Sequence, residues 1–67
     1  MNVIKKVTVV NPQGNIVTKV GKKNVARIED KSQEFENGTE FIYLCFDSND
    51  NLVRSIENCP VIVDYEV

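Results

Sequence analysis

Few side chains in this sequence are equipped for chemistry: the thiols Cys45 and Cys59, the carboxylates Asp47 and Asp50, and the cations Lys19, Lys22, Lys23 and Arg27. A cysteine nucleophile needs a base to take its proton, and the chain contains no histidine. Cys45 lies inside "FIYLCF", Phe41–Phe46, where apolar neighbours disfavour a thiolate. Without histidine, the two thiols also fall short of the four soft ligands of a structural zinc site, unless two subunits share one. Both cysteines are therefore expected to be reduced packing residues. Asp47 and Asp50 sit in "DSND", which is too short for a calcium-binding EF-hand loop and lacks its closing Glu, so they read as turn residues. No serine occupies a nucleophile elbow, and Gly14, Gly21 and Gly38 are too scattered to form a phosphate or dinucleotide cradle. The expectation is a protein with no catalytic residue, no metal, no cofactor and no evident small-molecule substrate.

The cations are the remaining candidates. The formal charge of −2 conceals a split along the chain. Residues 1–31 hold seven Lys and Arg against Glu29 and Asp30, whereas residues 32–67 hold Arg54 alone against eight Asp and Glu. Such asymmetry points to partners. Three explanations are open. The halves lie together and compensate one another; or Lys19, Lys22, Lys23 and Arg27 form a patch for nucleic-acid phosphates; or the acidic half meets a basic protein surface. Small barrels that bind oligonucleotides interleave aromatic with basic side chains, whereas here Phe35, Phe41, Tyr43, Phe46 and Tyr65 all lie in the acidic half.

The elements that position these residues follow from composition. Eleven Val and six Ile against two Leu and one Ala favour pleated strands over helices. "VVNPQGNIV" (Val9–Val17) is a hairpin tip: Asn11 accepts a local hydrogen bond, Pro12 pre-sets φ, and Gly14 supplies the left-handed residue of a bulged turn. "CFDSNDNLV" (Cys45–Val53) repeats that order of residue types, with Asp50 or Asn51 as the left-handed residue. The echo extends outward and predicts two β-meanders, a repeat of architecture rather than of descent. Strands are expected over Val3–Val10, Ile16–Val20, Val25–Glu29, Glu40–Phe46, Leu52–Ile56 and Val61–Glu66. Asn37-Gly38 is the preferred pair for a type I′ turn. A short helix over about residues 24–35 is the alternative, placing Val25, Ile28 and Phe35 on one stripe interrupted by Ser32.

"FIYLCF" is apolar on both faces, so its strand must be covered on both sides. On the last strand Val61, Val63 and Tyr65 should face in, with Asp64 and Glu66 facing out. The fold expected is all-β: one domain over residues 1–67, a small five- or six-stranded barrel or sandwich of two meanders. The alternative is α+β in the order ββαβββ. No apolar run is long enough to cross a membrane, and the N-terminal residues lack the apolar core of a signal peptide, so the chain is expected to begin at Met1 and to be cytoplasmic.

The function expected on these grounds is that of a small non-catalytic intracellular interaction or regulatory protein. It would act by surface binding or as a homo-oligomer, since a dimer solves the coverage of the apolar strand. An accessory protein of a mobile element is one setting for a chain of this size. Nucleic-acid binding through Lys19, Lys22, Lys23 and Arg27 is the alternative.

Overall fold

The computed structural model describes residues 3–66, so the expected start at Met1 lies outside the described residues. Every helix or strand among those residues is a strand: β1 (Ile4–Val9), β2 (Ile16–Lys19), β3 (Arg27–Asp30), β4 (Gln33–Phe35), β5 (Gly38–Glu40), β6 (Ile42–Phe46), β7 (Leu52–Glu57) and β8 (Val61–Tyr65). The all-β class follows from the Val- and Ile-rich composition. The alternative helix over residues 24–35 is overturned: that span holds a turn, β3 and β4. Its backbone donors find partners across the sheet, with Ala26 N–H donating to Phe46 C=O at 2.7 Å and Lys31 N–H to Ile42 C=O at 2.8 Å. Ser32, the residue that interrupts the helical stripe, accepts the Ile42 N–H on its hydroxyl at 3.0 Å.

The strands number eight rather than five or six, because residues 33–40 fold into a hairpin of their own. Its loop residues are Glu36 and Asn37, one position before the expected Asn37-Gly38 pair, and Gly38 opens β5 at φ 141°. The expected strand Glu40–Phe46 is consequently divided at Phe41.

The described residues form three antiparallel sheets, with orders β2-β1-β8, β3-β6-β7 and β4-β5. The expected meanders are replaced by an exchange. β3 leaves β2 to pair with β6, from Arg27↔Phe46 to Asp30↔Tyr43. β8 leaves β7 to pair with β1, through Val7↔Val63 and Val9↔Val61. Each half of the chain therefore supplies a hairpin to one sheet and a lone strand to the other, and exchanging the halves maps this connectivity onto itself. The cause is local. After Lys19 the chain passes through Gly21, Lys23 and Asn24 at φ of 90°, 49° and 65°, and after β7 through Asn58 at φ 49°. Left-handed residues at these points swing the chain off the sheet edge instead of letting it return beside the preceding strand.

The hairpin tips form as their residues dictate. Gly14 N–H donates to Asn11 C=O at 3.0 Å and Gln13 N–H to Asn11 Oδ1 at 3.1 Å, with Gly14 at φ 129°. At the second tip Asp50 is the left-handed residue, at φ 65°. The Asp47 carboxylate there accepts the N–H groups of Asn49 and Asn51, each at 2.9 Å.

Ile4, Val7, Val25, Ile28, Tyr43, Cys45 and Ile56 form one buried cluster drawn from both three-stranded sheets, with Val9, Val20, Val61 and Val63 packed against it. Val61 and Val63 thus face inward as expected, whereas Tyr65 is exposed. On β6 the inner face is buried, and the outer residues Ile42, Leu44 and Phe46 are half-buried. The Arg27 guanidinium stacks 4.4 Å from the centre of the Phe46 ring, so charged side chains cover part of this face within a single chain. The sheets do not close into a barrel: β2 is an edge of the first sheet and β7 an edge of the second.

A basic groove between two strand edges

The seam left open between β2 and β7 is a groove of about 580 Å³. It is lined by Ile16, Val17, Thr18 and Lys19 of β2, by Lys22, Lys23 and Val25 of the following turn, and by Val53 and Arg54 of β7. A second cavity shares Ile16 and Arg54 and runs on along β7 past Glu57 to Cys59.

Each wall is shaped by its backbone. Val20 N–H donates to Lys5 C=O at 2.9 Å, which sets the alternation of the β1–β2 ladder. Val7↔Thr18 and Val9↔Ile16 are then hydrogen-bonded pairs, so the N–H and C=O groups of Val17 and the N–H of Lys19 point away from β1 towards the open seam, while the Lys19 C=O accepts the Lys22 N–H at 3.2 Å. Across the seam, Cys45 opposes Arg54 while Phe46 opposes Leu52, leaving Val53 as the extra residue of a β-bulge. Bulges re-aim side chains at sheet edges, and this one turns Val53 and Arg54 towards β2. The turn that caps the groove has two successive left-handed residues, Lys23 and Asn24, closed by Val25 N–H donating to Lys22 C=O at 3.0 Å. Asn accepts that conformation readily and Lys does not, so Lys23 is held there at a conformational cost.

Of the four cations expected to act together, Lys19, Lys22 and Lys23 line this groove and Arg27 does not. Arg27 belongs to β3, and pairing with β6 turns it onto the outer face of the second sheet. There it bonds Glu29 Oε2 at 3.0 Å, forms an ion pair with Asp50, and covers Phe46. Those carboxylates raise its pKa, Asp50 first and then Glu29. In turn Arg27, followed by Lys31 at 3.2 Å, holds the Glu29 carboxyl below the ordinary carboxylate range. Arg27 is therefore a self-neutralised structural residue, and its assignment to the basic patch is corrected.

Arg54 takes its place, the one cation of the acidic half. Strand alternation was the available signal, since it puts Arg54 on the same face as the core residue Ile56. Among the described residues, none of Lys19, Lys22, Lys23 and Arg54 forms an ion pair, and no carboxylate lines this groove. Thr18 adds a second irregularity: it is 6% exposed, and its hydroxyl is buried without a hydrogen-bond partner. A buried hydroxyl left unpaired costs about 1–3 kcal/mol.

The thiols stand apart from this site. Cys45 is buried in the core, which pushes its thiol pKa up, and the exposed Cys59 sits beside Glu57 C=O at 3.1 Å. Among the described residues, no helix is long and apolar enough to cross a membrane. No family model, no curated protein and no solved structure matches the chain.

Proposed function

We propose that this is a small, non-catalytic, intracellular interaction protein that binds an acidic, extended polypeptide segment along the seam between β2 and β7. The two three-stranded sheets act as the layers of an open sandwich whose unsealed side is the binding site. One observation carries the proposal: four cations with no carboxylate among them converge on an aliphatic floor between two free strand edges. An edge strand offers main-chain donors and acceptors to an added strand, and flanking cations select for acidic side chains. Each exposed ion pair contributes about 0–1 kcal/mol, so the expected affinity is modest, about micromolar to millimolar.

The same cations also suit phosphates, which is the second reading. No aromatic side chain lines the groove, and binding of single strands ordinarily draws on base stacking. The deciding experiment is an amide NMR titration with a short peptide of alternating Glu and Val, run beside mixed-sequence single- and double-stranded oligonucleotides. Saturable shifts at Val17, Lys19 and Val53 with the peptide, weakened by salt and by Arg54→Gln, are expected. Shifts with the oligonucleotides alone would transfer the groove to nucleic acid, and no shift with either probe would remove it as a site.

A further inference from the structure

A ligand for this groove is present in the chain itself. The β4–β5 hairpin pairs with neither larger sheet, so both of its edges are free. It carries Glu34, Glu36 and Glu40, and no Lys or Arg lies between residues 32 and 53. Between the first two carboxylates stands Phe35, an apolar side chain that is 54% exposed. Two-stranded hairpins are marginal in water on their own, which makes this one a candidate for stabilisation by contact.

The hairpin and the groove are also well separated. β3 pairs with β6 from Arg27↔Phe46 to Asp30↔Tyr43. The hairpin leaves the second sheet at the Asp30 end, next to the start of β6. Val25 and the capping turn lie at the other end, where Ala26 N–H meets Phe46 C=O. A chain cannot fold its hairpin back into its own groove across that length, but a neighbouring copy can supply one.

We infer that the protein assembles head to tail, with the acidic β4–β5 hairpin of one copy seated in the basic groove of the next, an inference that rests on the groove being a site for acidic segments. Glu34 and Glu36 meet Lys22, Lys23 and Arg54, Phe35 covers the aliphatic floor, and a free hairpin edge continues the β2 ladder. Such a contact joins two different surfaces, so it propagates into an open chain or closes as a ring rather than stopping at a symmetric dimer.

The test is sedimentation velocity over a concentration series with three proteins: the wild type, the groove variant Lys22→Gln/Lys23→Gln and the hairpin variant Glu34→Gln/Glu36→Gln. All four positions are exposed, so the variants are expected to fold as the wild type does. The wild type should grow in mass with concentration and shrink again in high salt. Each variant should associate about tenfold more weakly, from the loss of two exposed charges. Mixed together, the variants retain one sound groove and one sound hairpin between them, so they should form a pair of one copy each and nothing larger. A wild type that stays a single chain up to about 1 mM overturns the assembly, as does association that ignores both variants. In either case groove shifts on adding the Glu–Val peptide would leave the peptide site standing, whereas their absence would remove it as well.

Discussion

Cations collect in two regions of this small molecule, and the regions treat them differently. On the outer face of the second sheet, Arg27 and Lys31 are matched by Glu29 and Asp50, and Arg27 lies flat on Phe46. In the seam between β2 and β7, Lys19, Lys22, Lys23 and Arg54 gather with no counter-charge. The first region completes its own electrostatics and covers an apolar face. The second holds like charges together, keeps Lys23 in a conformation that Lys disfavours, and buries a hydroxyl without a partner. Structure that gains nothing from such an arrangement points to a ligand that does.

The contrast can be attacked from several sides. The largest effect is expected from Ile28→Ala, which removes the buried anchor between Arg27 and Glu29 on β3. It should lower unfolding free energy by about 2–5 kcal/mol in urea titrations. A loss under about 0.5 kcal/mol would mean that β3 does not tie the charged face to the core.

Gly14→Val comes next, at about 1 kcal/mol or more, because a β-branched residue resists the positive φ of that tip. It should also loosen β2 and weaken peptide binding at the seam. Unchanged melting would show that the tip tolerates a different turn.

Thr18→Val should act in the opposite direction. It preserves shape and deletes the unpartnered hydroxyl, so stability should rise by about 1 kcal/mol. A decrease would show that the hydroxyl is satisfied in solution.

Acid separates the two regions. Glu29 is held below the ordinary carboxylate range by Arg27 and then Lys31, and Asp47 by the Asn51 N–H and then that of Asn49. A carboxyl whose folded pKa lies below its unfolded value stabilises the fold above the unfolded pKa, and that stability is lost as pH falls through the folded one. Melting temperature should therefore hold at neutral pH and decline below about pH 4. Glu29→Gln and Asp47→Asn should flatten the decline, and Lys22→Gln should leave its slope alone. The smallest effect is a pairwise one: Arg27→Gln should reduce melting temperature with little change in peptide binding, and Arg54→Gln the reverse. Equal effects of the two would erase the distinction.

Much of this architecture was legible in the residues. Asn11, Pro12 and Gly14 specify one tip, Asp47 and Asp50 the other, and Val and Ile mark the six strands of the two larger sheets within a residue or two of their ends, whereas β4 and β5 hold neither residue and were not legible. The exchange of third strands was not legible. It depends on left-handed Lys23, Asn24 and Asn58, of which Lys23 carries no local signature. That exchange also explains the half-correct site. Lys19, Lys22 and Lys23 follow one another along the first hairpin and its turn, so proximity in sequence serves. Arg27 and Arg54 change roles because β3 joins β6, while the bulge at Val53 faces β2 across the seam, and both facts are set by pairing between halves.

The pairing of Ile4 with Tyr65 joins the opening strand to the closing one. While the ribosome is still adding residues, β1 has only β2 beside it, and the first sheet stays incomplete until β8 has left the exit tunnel. Closing the first sheet therefore waits on a contact between distant parts of the sequence, a slow kind of pairing, and deleting β8 would strip one edge from that sheet while leaving the β3-β6-β7 ladder paired.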